Sequence, residues 1–353
     1  MNRLSLRPLL LVVLALVGAA VVSNPPDVVA QNNGGGGDPF TAALEGTTPQ
    51  EGFWTVHVGD NKTLVEVGPR QIGQSFLLMS SVRRGLATGF FVNGMTLGTE
   101  VLAFERTDAG ALALVARNTR FRRPDGPLGR GFDLSFNESS PIEIIEPVAT
   151  RGGTMLVDLG SLFLNDYLGL GSILGPGFRL DRRGSSFSKV KVFPENIELA
   201  VDKLYIGNGT LPDTQAAGRG IVLSSYFSIR KMPEPGYQPR VADDRVGYFQ
   251  NTYYDLSRAE DGGFYRFIRR FRLEKADPSR DRSPVREPIV IWIENTVPFA
   301  YRPYVREGIE AWNEAFEEAG FVGAIEARQM PDDADWDPED ARYNTVRWTA
   351  AYQ

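Results

Sequence analysis

The sequence predicts a mainly β N-terminal domain, a large antiparallel sheet or sandwich, followed by the incomplete start of an α/β domain. Three observations carry that expectation. Short β-prone runs punctuated by turn residues recur between about 50 and 275. A charged segment with two prolines, 275–287, lacks apolar periodicity and marks a boundary. Beyond it, a strand, an amphipathic helix and two further strands follow one another in the order of an α/β unit. A chain of 353 residues is long enough for two such domains, and 42% hydrophobic with 23% charged residues is the composition of a folded protein.

Taken in order, Arg3 and Arg7 precede an apolar run at 9–22, and Val28-Val29-Ala30 offers a small-residue cleavage site before Gln31. This is the layout of a secretory signal peptide over 1–30, so the protein is expected to be exported, to the periplasm, cell surface or medium. The run is too short to span a bilayer, which needs about 20 residues, and no later stretch could span. No cysteine follows it, which excludes a bacterial lipoprotein anchor. Residues 31–44 read as a flexible Gly-rich linker, four glycines standing at 34–37.

The β domain is expected over 45–280. Runs at 53–58 and 63–67 flank a hairpin signal, Gly59-Asp60-Asn61, and strands follow at 74–82, 99–105, 111–116, 188–193, 197–206, 221–230 and 264–273. A short helix is expected at 158–165, and no fixed-period repeat is present. In the second domain, 287–353, residues 288–294 form a buried strand. Val305, Ile309, Trp312 and Phe316 then recur at helical spacing with Gly320 as the stop. Strands at 324–327 and 344–349 flank an acidic loop. The apolar faces of this segment want more partner surface than the chain supplies, so 287–353 is expected to be more protease-sensitive or aggregation-prone than 45–280.

The chemistry is constrained by one histidine, His57, and no cysteine. A hydrolytic zinc site takes three protein ligands, mostly histidines, and one imidazole cannot supply them. His57, in an alternating strand without a partner evident nearby in sequence, reads as structural. Acids at 333, 335 and 337 mimic a calcium loop, but an EF-hand glycine and glutamate are replaced by Pro338 and Asn344. A solvated acidic turn is the better reading. Glycines at 169, 171, 175 and 177 do not space as a phosphate cradle and read as a loop covering something. Arg266, Arg269, Arg270 and Arg272 interleave with aromatics. The net charge of −6 argues against nucleic acid, and a contact with the acidic stretch 305–340 is the expectation for this cluster. The three glycosylation-type triplets, at Asn61, Asn137 and Asn208, carry little weight.

Several segments together resemble a known family: Asp244-Arg245-Val246-Gly247-Tyr248-Phe249, Arg269 to Pro278, Phe193-Pro194-Glu195-Asn196-Ile197-Glu198, Arg302 to Trp312 with Ala315 to Phe321, and Pro338-Glu339-Asp340-Ala341-Arg342-Tyr343. In content and order they look like secreted bacterial zinc-dependent metalloproteases of the met-zincin type, which carry an uncharacterised domain ahead of the catalytic one. The resemblance covers nearly all of the chain after the signal peptide. It implies a catalytic H-E-x-x-H helix with a third histidine, zinc as cofactor, and a protein or peptide substrate. None of those motifs falls within these residues. No catalytic, cofactor-binding or metal-binding residue is therefore assigned, no zinc is expected to bind, and a truncated, inactive N-terminal part is the expectation. Two rivals stand beside it. One is a secreted β-rich module binding a glycan or peptide, which would suit the five tryptophans. The other is a carboxylate-only hydrolase, for which no pair of acids stands out.

Overall fold

The computed structural model describes residues 37–349 apart from 61, 87–90, 212–214, 216–217 and 258–262. The expected signal peptide and the first residues of the linker lie outside the described residues. Asp38 accepts hydrogen bonds from the amides of Phe40 and Thr41, and Pro39 sits in the first turn, where its missing N–H costs nothing. Helix α1 (Pro39–Leu44) results, with Phe40 buried and the Arg151 guanidinium 4.2 Å above its ring. The linker expected over 31–44 thus gives way to helix at residue 39.

Strands follow in quick succession: β1 (Thr47–Gln50), β2 (Val56–Gly59), β3 (Thr63–Val67), β4 (Ser75–Arg84), β5 (Thr96–Arg106), β6 (Leu112–Arg117) and β7 (Phe121–Arg122). After α2 (Pro127–Asp133) come β8 (Ser139–Ile145), β9 (Ala149–Arg151) and β10 (Thr154–Asp158), then helices α3 (Leu159–Phe163) and α4 (Leu170–Leu174). Long strands β11 (Phe178–Val192), β12 (Asn196–Gly207) and β13 (Gly220–Lys231) precede β14 (Gln250–Asp255), β15 (Phe264–Ile268) and β16 (Ser283–Pro284).

The domain is mainly β, as expected, and is a sandwich. A five-stranded antiparallel sheet, β1-β2-β3-β10-β9, faces a seven-stranded antiparallel sheet, β11-β12-β13-β4-β5-β6-β8, which curls into a half-barrel. Period-two alternation sets the facing: Phe76, Leu78, Ser80 and Val82 are the buried residues of β4. Trp54, Val56, Val65 and Met155 from the smaller sheet meet Phe76, Leu102, Leu199 and Phe227 from the larger one, with Phe163 of α3 between them. A second cluster, including Leu170, Phe178, Tyr205 and Leu223, fills the far end of the half-barrel. A third sheet, β15-β14-β7, stands apart from these two.

The remaining elements are β17 (Ile289–Ile293), α5 (Arg302–Glu310), α6 (Trp312–Glu318), β18 (Phe321–Val322), β19 (Ile325–Gln329) and β20 (Asn344–Val346). Strand β17 lies between β19 and β20, parallel to both, and α5 packs Val305 and Ile309 onto Ile293, Val297 and Ala327. This is the expected α/β arrangement, with one difference. The helical spacing that runs from Val305 to Phe316 in the sequence is interrupted at Ala311, leaving Trp312 exposed and Phe316 half-buried. From residue 38 onward the described residues belong to one compact unit, so the α/β segment is joined to the sandwich by contact as well as by chain.

Candidate functional site

The densest group of buried charge among the described residues lies where the α/β segment meets the convex face of the seven-stranded sheet. Along β12, residues 196–201 are buried without interruption. Ile197, Leu199 and Val201 face the sandwich core. Asn196, Glu198 and Ala200 point the other way, towards what would be solvent. They are covered by the loop 331–343 that connects β19 to β20.

Asn196 acts as a clamp on that loop. Its side-chain amide nitrogen donates to the Glu339 carbonyl (3.0 Å) and to Glu198 Oε1 (3.2 Å), and its oxygen accepts from the Ala341 amide (2.9 Å). Glu339 reaches back to the sheet. Lys189 Nζ donates to Oε2 and the Tyr226 hydroxyl to Oε1, both at 2.5 Å. Arg347 Nη1 stands 3.7 Å from Oε1. Asp337 pairs with Lys191 and lies 3.7 Å from Lys189. The loop is held from its other side by Trp336, which stacks on Tyr343 at 4.1 Å and meets Trp292 of β17 edge-on at 5.2 Å.

The electrostatics follow from this burial. Desolvation would raise the Glu339 carboxyl, but the hydrogen bonds from Lys189 and Tyr226 outweigh it and hold the group below its ordinary value. Glu198 goes the other way. Burial pushes it up to about 7, with the neighbouring Glu339 adding to the rise, while Ser228, Arg230 and Asn196 oppose it only in part. Such a cluster of perturbed groups is the kind of place where chemistry is sought. Here Asp337 and Glu339 of the loop are engaged by Lys189, Lys191, Tyr226 and Asn196 of the sheet, and what the arrangement does is hold two parts together.

The acidic loop is therefore not the solvated turn expected from its composition. Asp332, Asp333 and Asp335 are exposed, but Asp340 is buried and the Glu339 side chain is only 10% exposed. The arginine cluster also departs from expectation. Arg266 pairs with Asp244, Arg269 donates to Asn251, Arg270 to the Gln238 carbonyl, and Arg272 pairs with Glu274. An acidic segment does dock on a basic strand, but the strand is β11. His57 is buried in β2 and does have a partner, Glu66 on the neighbouring β3, 2.7 Å from its Nε2. Of the five tryptophans, only Trp54 belongs to the sandwich, and it is buried in the core.

A second polar group lies inside the half-barrel. Lys203 is fully buried on the concave face of β12, its Nζ 5.1 Å from the Phe227 ring centroid and without a hydrogen-bond partner. Burial lowers its amine to about 8, against a small opposing pull from Asp166. That carboxylate is already engaged, accepting from the Tyr205 hydroxyl at 2.8 Å and from the amides of Leu170 and Gly171, both at 2.9 Å. The glycine-rich stretch, expected as a loop, instead carries the short helix α4, whose Leu170 closes the end of the half-barrel. Gly169 takes a positive φ of 63° that favours glycine, and a Cβ on Gly171 would press on Asp166 at 3.0 Å.

These residues do not fit a zinc ion. Among the described residues no three His, Cys, Asp or Glu side chains converge as a metal-binding group, and the one imidazole is held in a strand against Glu66. A family model described as a domain of unknown function (DUF5117) matches residues 94–276, just over half of the chain and confined to the β part. No curated protein and no solved structure matches.

Proposed function

The chain belongs to the DUF5117 family, a domain of unknown function, and from that premise we propose that it is the N-terminal part of a secreted zinc-dependent metalloprotease. In this reading the β sandwich is a non-catalytic domain, and 287–353 opens a catalytic domain whose zinc ligands lie outside these residues. The observation that carries the reading is the α/β unit: parallel β17, β19 and β20 with α5 on one face, following a β domain and bearing the segments Arg302 to Trp312 and Pro338 to Tyr343. The order of those segments and the export signal support it as well. Reading the DNA beyond codon 353 is the test. An H-E-x-x-H, in frame or one frameshift away, is expected, and the longer product should cleave peptides and lose activity to a zinc chelator. A downstream region without the motif overturns the proposal.

One observation favours the rival reading, a glycan- or peptide-binding module. Phe121 lies tilted against Phe136 at 4.5 Å and Phe136 stacks on Phe132 at 4.7 Å, along a cleft of about 720 Å³ whose rim carries Asn137, Glu138 and the Arg123–Asp133 ion pair. The three rings offer stacking surface, and the polar side chains that make up the rest of the lining offer hydrogen-bonding groups to orient a glycan or peptide. The two readings separate on the Phe136→Ala variant. Loss of binding to a glycan or peptide panel favours the module, and a chain that binds nothing from such a panel removes it.

A further inference from the structure

Asn196 and Glu198 lie on the side of β12 turned away from the sandwich core, yet they are 0% and 3% exposed. The loop 331–343 lies over them, its Glu339 carbonyl and Ala341 amide bonded to Asn196. The environment of Glu198 therefore exists only while the loop is seated, and the loop is seated only while that environment is tolerable. The groups facing Glu198 can be named element by element. Asn196 on its own strand donates to it (3.2 Å). Ser228, its register partner on β13, also bonds to it, while the Ser228 oxygen accepts from Arg230 Nε (2.7 Å). Lys191, its register partner on β11, is turned to Asp337 instead, and Lys189 to Glu339. From the loop, Glu339 adds a second carboxylate, itself committed to Lys189 and Tyr226, and Arg347 approaches Glu339 rather than Glu198.

The seam thus supplies enough positive charge for Asp337 and Glu339, while Glu198, buried beside them, is left with dipoles and the pull of Arg230, which is bonded to Ser228. We propose that this seam is a proton-coupled latch, holding the α/β segment on the convex face of the sheet while Glu198 keeps its proton and loosening as Glu198 ionises. The proposal is independent of the protease reading.

The sign of the effect follows from linkage. Glu198 titrates at about 7 when covered and near its ordinary 4.5 when the loop is lifted. Its contribution to docking is full below 4.5 and falls about tenfold per pH unit until about 7, after which it is spent. Glu339 acts in the opposite sense, because its carboxyl is held below the ordinary value when docked; its contribution is present above 4.5 and lost as the pH falls further. The latch is accordingly tightest close to pH 5.

The test is hydrogen exchange of the full chain, corrected for intrinsic rates, at pH 5, 6 and 7. Protection of residues 336–347 relative to the sandwich core should fall by roughly a hundredfold over this range. Glu198→Gln, which keeps the hydrogen-bonding shape without the charge, should flatten the dependence. Glu339→Gln should loosen the loop at all three pH values. Equal slopes in the wild type and Glu198→Gln would overturn the latch. A titration read on ¹³C-labelled glutamate carboxyls covers the case in which a variant misfolds. One carboxyl in the wild type should titrate near 7, and a spectrum in which every glutamate titrates in the ordinary range also overturns it.

Discussion

Lys203 brings an ammonium into the half-barrel that no acceptor among the described residues meets. With the amine lowered from 10.5 to about 8, keeping it there costs on the order of 3 kcal/mol at neutral pH, at about 1.4 kcal/mol per unit. Lys203→Met is therefore expected to stabilise the chain by an amount of that order, measured by urea unfolding at pH 7. The pH dependence gives a second reading of the same residue. The unfolded amine holds its proton to about 10.5 and the folded one only to about 8, so the wild type should gain on the variant between those values; a constant difference would show that Lys203 holds its proton as firmly in the fold as in the unfolded chain. Asn196 is the opposite case, a polar side chain whose partners are all met. Asn196→Ala leaves the Glu339 carbonyl and the Ala341 amide without their partner, and a loss of about 2 kcal/mol is expected, concentrated in the exchange protection of 331–349. Neither residue could be valued from sequence. A lysine in an alternating strand reads as a surface residue, and an asparagine two residues after a proline reads as turn chemistry.

Among the elements, those with a strong local signal stand where the sequence puts them: β3 covers the expected 63–67, and β12 and β13 extend the expected 197–206 and 221–230 by only a residue or so at each end. The misses have physical causes. Strand β11 runs from 178 rather than 188, because its first half is rich in arginine and bulged between Asp181 and Ser186, which erases the period of two. Strand β14 carries few apolar residues and β8 opens on Ser139-Ser140-Pro141, which reads as a turn, so neither announces itself. Helix α6 ends where expected, at Gly320, whose φ of 89° is the left-handed turn that a glycine allows. A Cβ there would also stand 2.3 Å from the Asp281 carbonyl. Gly320→Ala is expected to cost about 2 kcal/mol or more, and to show as a lower denaturation midpoint with increased exchange in β16 and β18, which the turn aligns.

On the scale of the whole molecule, the seam changes what a truncation would do. The tail 287–349 is fastened to the sandwich by Asn196, Lys189, Lys191 and Tyr226, while its helices still present Phe299, Tyr304 and Trp312, each more than 60% exposed. Limited proteolysis should therefore begin in the segment 299–318 and spare the loop 336–347 at pH 5. Early cleavage inside the loop at that pH would count against the docking. Purified chain is expected to retain no stoichiometric zinc after dialysis, since carboxylates alone favour harder cations, and metal analysis checks this directly. The signal peptide proposed over 1–30 predicts that N-terminal sequencing returns Gln31; a soluble product beginning at Met1 would count against it.

What the sequence by itself determined is whatever rests on local pattern. The β-rich class follows from alternation and turn residues, the α/β order towards the end of the chain from a change of period, and the poverty of metal ligands from simple counting. What only the tertiary structure decided is which surfaces meet. Phe193 to Glu198 and Pro338 to Tyr343 both stand out in the sequence, but they are more than a hundred residues apart, and nothing local states that one lies on the other. The choice of Lys189 and Lys191, rather than the four arginines at 266–272, as the partner of the acidic loop is of the same kind. Charge composition makes either contact favourable, because Coulomb attraction is long-ranged and indifferent to sequence. The short-ranged terms select between them: the fit of Asn196 to a backbone turn, the stacking of Trp336, and the exclusion of water from Glu339.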